Sequence, residues 1–341
     1  MVTICDHPID DATAWTSRSL NEDTSWQVIL DDADLGEIRE ALGSVDQAGF
    51  KGCDFGWGDF PLARLKTKLD RVRELIKSGP GLALIRGLNV DRYDEEQLSK
   101  IYWGIGVHLG IPVGQNRKGD RIGRVEAVLK AGQPVGDRGY NRPGSLPFHA
   151  DFSDTVGLLC IRKAQSGGTS LIVSSTTLHN QVLRDRPDLL LVLYEGMYTN
   201  LRNEGPRRLP NERSLDPVKA FEFFDGKVSC FFSIDRYKGG QEAVGGKPLT
   251  ALQIEALEYM NQLAQNPEYH HQMDFEPGDI QFLNNHTVLH ARTNYVDFPE
   301  PERRRLLLRI WIRFEEENYR VSPARSRVFR WGMDQVLPAM A

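Results

Sequence analysis

The amino-acid sequence predicts an α+β protein built on a β-sandwich or jelly roll, and three observations predict it. Short apolar runs bounded by turn residues recur through the second half of the chain. Helical patterns gather near the front and in one insert. Turn signals, in Lys163-Ala164-Gln165-Ser166-Gly167-Gly168 and Pro277-Gly278, separate neighbouring runs in the manner of strand pairs.

In chain order, helices alternate with short strands from Trp26 to about Gly110. Asp32 to Leu42 opens with acidic residues and meets Gly43, so a helix is expected to stop there; Leu62 to Ile76 sets Leu65, Leu69, Val72 and Ile76 at helical spacing. Leu82 to Ile85 reads as a strand, and Asp94 caps a helix from Glu95 to Leu109 that Gly110 ends. Gln115 to Gly144 is rich in glycine and basic residues and is read as an active-site loop, the alternative being a solvated connector. Val156 to Ile161 and Ser170 to Val173 are strands. Ser174 or Ser175 caps a helical region that runs to about Glu195 and breaks near Pro187. Arg202 to Leu215 is a second loop. Val228 to Ile234 reads as a strand, and Thr250 to Ala264 as a helix with Leu252, Ile254, Leu257 and Met260 on one side. Met273 to Phe275, Ile280 to Asn284 and Arg305 to Phe314 complete the core. The expected organisation is one domain over 1–341: N-terminal helices and first strands in 1–110, the loop in 115–144, and the strand core with its insert in 145–320.

The composition, 40% hydrophobic and 26% charged over 341 residues, is that of a globular protein with a sizeable core. A net charge of -5 gives no basic footprint, so nucleic acid is not an expected partner. Cys5, Cys53, Cys160 and Cys230 are scattered without metal or disulfide spacing and read as reduced thiols. The start lacks a basic region followed by an apolar core, and no apolar run is long enough to span a bilayer; the expected location is cytoplasmic, with no membrane partner. No heptad pattern bears on oligomeric state, and a homo-oligomer stays open.

The chemistry starts from Leu146 to Thr155, LPFHADFSDT. His149 and Asp151 stand two apart in an extended run, which on a strand puts them on one face, about 6 to 7 Å apart. One imidazole and one carboxylate leave a metal site short of a ligand. The segment Asn284-Asn285-His286-Thr287-Val288-Leu289-His290 offers two histidines at helical spacing, but position 287 is Thr where a zinc peptidase needs its general-base Glu. His290 is taken as the third ligand and His286 as structural. Two histidines and one carboxylate with open positions opposite suit non-haem Fe(II) with a co-substrate and O2. His270 and His271, in a polar stretch, are expected at the surface. In Arg305 to Arg313 the odd positions carry three arginines and the even positions only aliphatics. Arg305 and Arg309 therefore share a face, about 13 Å apart, which either meets water or lines a pocket for anionic groups. Arg202, Arg207 and Arg208 hint at an anionic substrate.

Taken together, LPFHADFSD, SGGTSLIVSS, FEPGDIQFLNNHTVLHART and RRRLLLRIWIRF resemble, in motif order across residues 80 to 320, the Fe(II)/2-oxoglutarate-dependent dioxygenases of the taurine dioxygenase and clavaminate synthase-like superfamily. The resemblance implies a double-stranded β-helix (jelly-roll) core with flanking helices and a helical insert. It implies iron at His149, Asp151 and His290, Arg305 as clamp for the distal carboxylate of 2-oxoglutarate, Ser170 or Thr169 as its helper, and Arg309 near the substrate or the other end of the co-substrate. The activity implied is hydroxylation of a C–H bond in an amino-acid-like or other carboxylate-bearing small molecule, with succinate and CO2 as co-products; desaturation or ring closure would use the same oxidant. A carboxylate at position 151 disfavours halogenation. Two rivals from other classes are a zinc hydrolase on the same three residues, which needs no Arg305 clamp, and a non-catalytic jelly-roll binding protein.

Overall fold

A computed structural model describes residues 3–116, 119–127, 143–202, 212–243, 247–316 and 318–330. Eight core strands are numbered here in chain order: β1 (Ile122–Val125), β2 (Leu146–His149), β3 (Thr155–Arg162), β4 (Ser170–Ser174), β5 (His270–Met273), β6 (Ile280–Asn284), β7 (Val288–Arg292) and β8 (Leu306–Arg313). The chain crosses between two antiparallel sheets. β1, β8, β3 and β6 neighbour one another in the larger sheet, and β2, β7, β4 and β5 in the smaller. This alternation is the winding that a double-stranded β-helix requires. Leu82–Arg86 extends the larger sheet beyond β6, Gln27–Ile29 pairs parallel to it, and Ile111–Val113 pairs with the far end of β8.

Apolar burial explains the arrangement. β6, β7 and β8 are buried along nearly their whole length, which strands covered on both faces require. Helices Asp32–Gln47, Lys66–Lys77 and Glu95–Leu109 add their apolar stripes to the same continuous core. Asp31 and Asp94 both begin capping boxes, so acidic residues mark these helix starts for a physical reason. Ser174, rather than Ser175, caps the helix Ser175–Asp185, and a second helix, Pro187–Glu195, follows the expected break.

Several sequence expectations need correction. The first helix does not end at Gly43; Val45, fully buried on the same stripe as Ile38 and Ala41, carries it to Gln47. Residues 122–125, expected inside a loop, form β1, because their pairing with Leu307 to Ile310 gives the backbone a ladder. The strand expected over Val228 to Ile234 stops at Cys230, and a helix, Ile234–Glu242, begins at once. Thr250 caps Ala251–Gln265 as expected, but Leu252 and Ile254 lie exposed and the buried face is Ala256, Leu257, Met260 and Ala264. His270 and His271 are buried, not superficial: they lie on β5 against β4, their rings packed on Phe148 and Trp26. Positions 128–142 of the first loop and 203–211 of the second, including Arg207 and Arg208, lie outside the described residues.

One turn is fixed by close approach. Gly278, between β5 and β6, has φ +92°, and a Cβ there would lie 1.8 Å from the Leu88 carbonyl oxygen. Only glycine lets Leu82–Arg86 and its following loop close against the core at this point.

Candidate metal centre

β2 ends at His149, and Asp151 lies just past it, so the two ligand candidates are not on a continuous strand. The chain turns there because the Ala150 N–H donates to the Phe232 carbonyl and the Asp151 N–H to Asn285 Oδ1 at 3.0 Å. The turn brings His149 Nε2 to 4.0 Å from Asp151 Oδ1, closer than strand spacing allows. β7 pairs with β2 so that His290 sits directly opposite His149, their rings 4.2 Å apart. His149, Asp151 and His290 thus each present a ligand atom within 4.8 Å of the others.

The donor set fits a divalent metal ion. His149 Nδ1 donates to the Pro147 carbonyl at 2.9 Å, which leaves the Nε2 lone pair for a metal. Asp151 Oδ2 accepts from Trp311 Nε1 at 2.9 Å and from Arg309 Nη1 at 3.4 Å, and Oδ1 faces the histidines. Burial pushes the His149 imidazolium down to about 3, the neighbouring His290 adding to the effect, and burial lowers His290 too, so both are neutral ligands. Burial alone would raise the Asp151 carboxyl; Arg309, the two histidines and the Trp311 N–H outweigh it and hold the group well below the usual range.

The site opens into a cavity of about 990 Å³, part of it continuous with solvent. β8 brings Arg305, Arg309 and Trp311 to it from one face of the strand. The solvent-facing alternative for these arginines fails: Arg305 and Arg309 are buried, and only Arg313 of the row is half-exposed. Arg309 Nε donates to Gln115 Oε1 at 2.7 Å, so Arg309 is a brace for Asp151. Arg305 differs. Its Nη1 is buried with no hydrogen-bond partner, its guanidinium lies over Tyr295, and burial lowers its pKa. Arg292 packs on the same ring, 4.7 Å from its centroid, and burial with the Arg305 charge lowers it to about 10. Two guanidinium groups confined this way call for an anion.

Ser170 lines the cavity with Arg305; Thr169 does not, its N–H instead donating to Thr293 Oγ1. Gly168, at φ +78°, lets the turn before β4 pass beside Arg305 Nε. His286 lies away from the centre, fully buried and paired with Asp154 at 2.9 Å. Sequence reasoning missed Trp311, Gln115, Asn285 and Arg292. Trp311 had a signal, since it occupies an odd position between Arg309 and Arg313. Asn285 and Gln115 had none, because their roles depend on which loops meet.

Comparison with known proteins gives a consistent picture. A family model described as taurine catabolism dioxygenase TauD, TfdA family matches residues 47–311. The chain is 30% identical over 336 residues to FR-33289 synthase of Streptomyces rubellomurinus, covering 98% of each. It is 29% identical to a taurine hydroxylase-like protein of Stachybotrys chartarum, covering 94% of this chain and 83% of the relative. Among solved structures, an asparagine oxygenase in complex with Fe(II), 3-hydroxyasparagine and succinate is similar at TM-score 0.65 and 19% identity, over 84% of this chain and 93% of that one. The non-heme iron oxygenase OrfP in complex with Fe and alpha-ketoglutaric acid is similar at TM-score 0.61 and 14% identity, with the same coverage.

Proposed function

Because the chain belongs to the TauD/TfdA dioxygenase family, we propose that it is an Fe(II)- and 2-oxoglutarate-dependent oxygenase that hydroxylates a C–H bond of a small, amino-acid-like or otherwise carboxylate-bearing molecule. The observation that carries this reading is the pairing, in one cavity, of a two-histidine, one-carboxylate cluster with a buried arginine nitrogen that has no partner. A zinc hydrolase has no use for the second feature.

When bound, iron and 2-oxoglutarate supply oxidation by O2: the co-substrate becomes succinate and CO2, and one oxygen atom enters the substrate as hydroxyl. The protein's share is holding and excluding. His149, Asp151 and His290 would hold the iron from one side, leaving the opposite side for exchangeable ligands. Trp311 and Arg309 lock Asp151 so that one oxygen faces inward. Arg305, with the Ser170 hydroxyl beside it, would take the distal carboxylate of 2-oxoglutarate, and Arg292 adds charge at the same end. Val156, Leu158, Phe275 and Leu307 wall the cavity with apolar surface and keep water from the reacting carbon.

The test is anaerobic titration of metal-free protein with Fe(II) and then 2-oxoglutarate, followed by visible absorption. A weak charge-transfer band that develops with both and is lost in His149→Ala is the expected result. Absence of the band in protein that instead retains stoichiometric zinc would overturn the proposal in favour of the hydrolase.

A further inference from the structure

The charges lining the cavity do not balance. Among the described residues five arginines face two aspartates, an excess of three positive charges with the histidines neutral. Fe(II) and the 2-oxoglutarate dianion cancel each other, so loading both leaves the excess unchanged. Arg292, Arg305 and Arg309 come from β7, β8 and the turn into β8. The other two, Arg202 and Arg236, lie beyond the edge of the smaller sheet, where Ser233 bridges His149.

That corner is built, not loose. The Asn200 N–H donates to the Arg236 carbonyl at 2.8 Å, and Arg236 Nη1 donates back to the Asn200 carbonyl at 3.1 Å, fixing one segment on the other. The Arg202 N–H donates to Asn200 Oδ1 at 2.6 Å, and Arg202 itself sits at φ +50°, a left-handed conformation that a long side chain rarely adopts. Ser233, the N-cap of the helix Ile234–Glu242, is 94% buried by its 6% exposure, lines the cavity and makes no capping bond, so the positive end of a nine-residue helix borders the same space. Asp235 is the one acidic neighbour there among the described residues. It is exposed and 4.0 Å from Arg202, too distant and too wet to neutralise it.

We propose that Arg202, Arg236, the Ser233 hydroxyl and the N-terminal end of Ile234–Glu242 form a second oxyanion subsite, which binds an anionic end group of the substrate, a carboxylate, sulfonate or phosphonate, beside His149. The inference rests on the function proposed above, because it assigns the remaining arginines to the co-substrate end. It makes Arg202 and Arg236 determinants of substrate choice and gives the strained backbone at Arg202 a purpose.

The test uses enzyme loaded with Fe(II) and 2-oxoglutarate without O2, titrated calorimetrically with acetate, methanesulfonate and methylphosphonate, and with acetamide as the neutral control. At least one anion should bind and acetamide should not. Arg202→Gln and Arg236→Gln should each weaken that binding by about 10-fold or more, the size of a lost charge-assisted hydrogen bond, with 2-oxoglutarate affinity unchanged. Asp235→Asn should tighten it, a gain that misfolding cannot mimic. The tightest anion identifies the end group. No anion binding in the wild type, equal binding in Arg202→Gln, or equal binding of acetamide overturns the subsite. If the wild type fails to take up 2-oxoglutarate yet binds methylphosphonate in an Arg202-dependent way, the co-substrate reading falls and the subsite stands.

Discussion

Asp151 is held by more partners than it would offer to a metal, and its neighbours set the outcome of several substitutions. Removing the Trp311 N–H in Trp311→Phe keeps the ring in place but frees Oδ2; Fe(II) affinity should fall by about 10- to 100-fold, measured by anaerobic titration, the usual consequence of losing a group that orients a ligand. Asp151→Gly should abolish substrate-coupled turnover. It leaves the Trp311 and Arg309 donors aimed at the vacated volume, so added formate should restore part of the metal binding, and a variant that formate leaves unchanged would show that these donors do not define the position. Arg305→Gln removes the charge from a buried corner; the dissociation constant for 2-oxoglutarate should rise by about 30-fold or more, from the 2 kcal/mol or more that a buried charged partner contributes. The ligand trio was legible in the sequence because histidine and aspartate have few uses in an apolar extended run. The bracing by Gln115 and Asn285 was not, since an amide side chain looks alike wherever it stands.

Among the elements, β8 does most of the organising. It is the central partner of β1, β3 and Ile111–Val113, and it carries three side chains into the cavity. Its alternation of arginine and aliphatic residues was readable, but alternation cannot say whether the polar face meets water or a cavity; burial of Arg305 and Arg309 decides it. Other elements were misread for equally physical reasons. Ile234–Glu242 contains Gly239 and Gly240, weak helix formers, and follows the strand-like Phe231-Phe232. β1 hides among glycines and charges because one partner, β8, supplies its stability. His270 and His271 were placed outside by composition, whereas the edge of the smaller sheet buries them. The turn before β6 gives a direct test: Gly278→Ala combines a disfavoured φ with a collision against the Leu88 carbonyl, and should cost on the order of 3 kcal/mol, read from denaturant unfolding, while Gly43→Ala, with open space around it, should stabilise the first long helix slightly.

At the scale of the whole molecule, buried histidines set the response to acid. Burial lowers His179 to about 4 and also lowers His271 and His286, the latter against the opposing pull of Asp154. The unfolded chain binds these protons first, near the ordinary histidine pKa, so stability is complete at neutral pH and declines as pH falls through about 6.5 toward 4. His179 alone accounts for about 3 kcal/mol across that window. The urea midpoint of the metal-free protein should therefore drop between about pH 7.5 and about pH 5, and a flat midpoint would contradict the burial. No helix among the described residues is long and apolar enough to cross a membrane, and the surface carries a net negative balance, since the chain totals -5 while its cavity lining is positive. An anion diffusing toward this protein thus meets mild repulsion over most directions and a funnel of attraction at one mouth. Such a molecule captures its small acids kinetically as well as by contact, so its association rate with 2-oxoglutarate should slow as salt is raised and the Debye length contracts below about 10 Å.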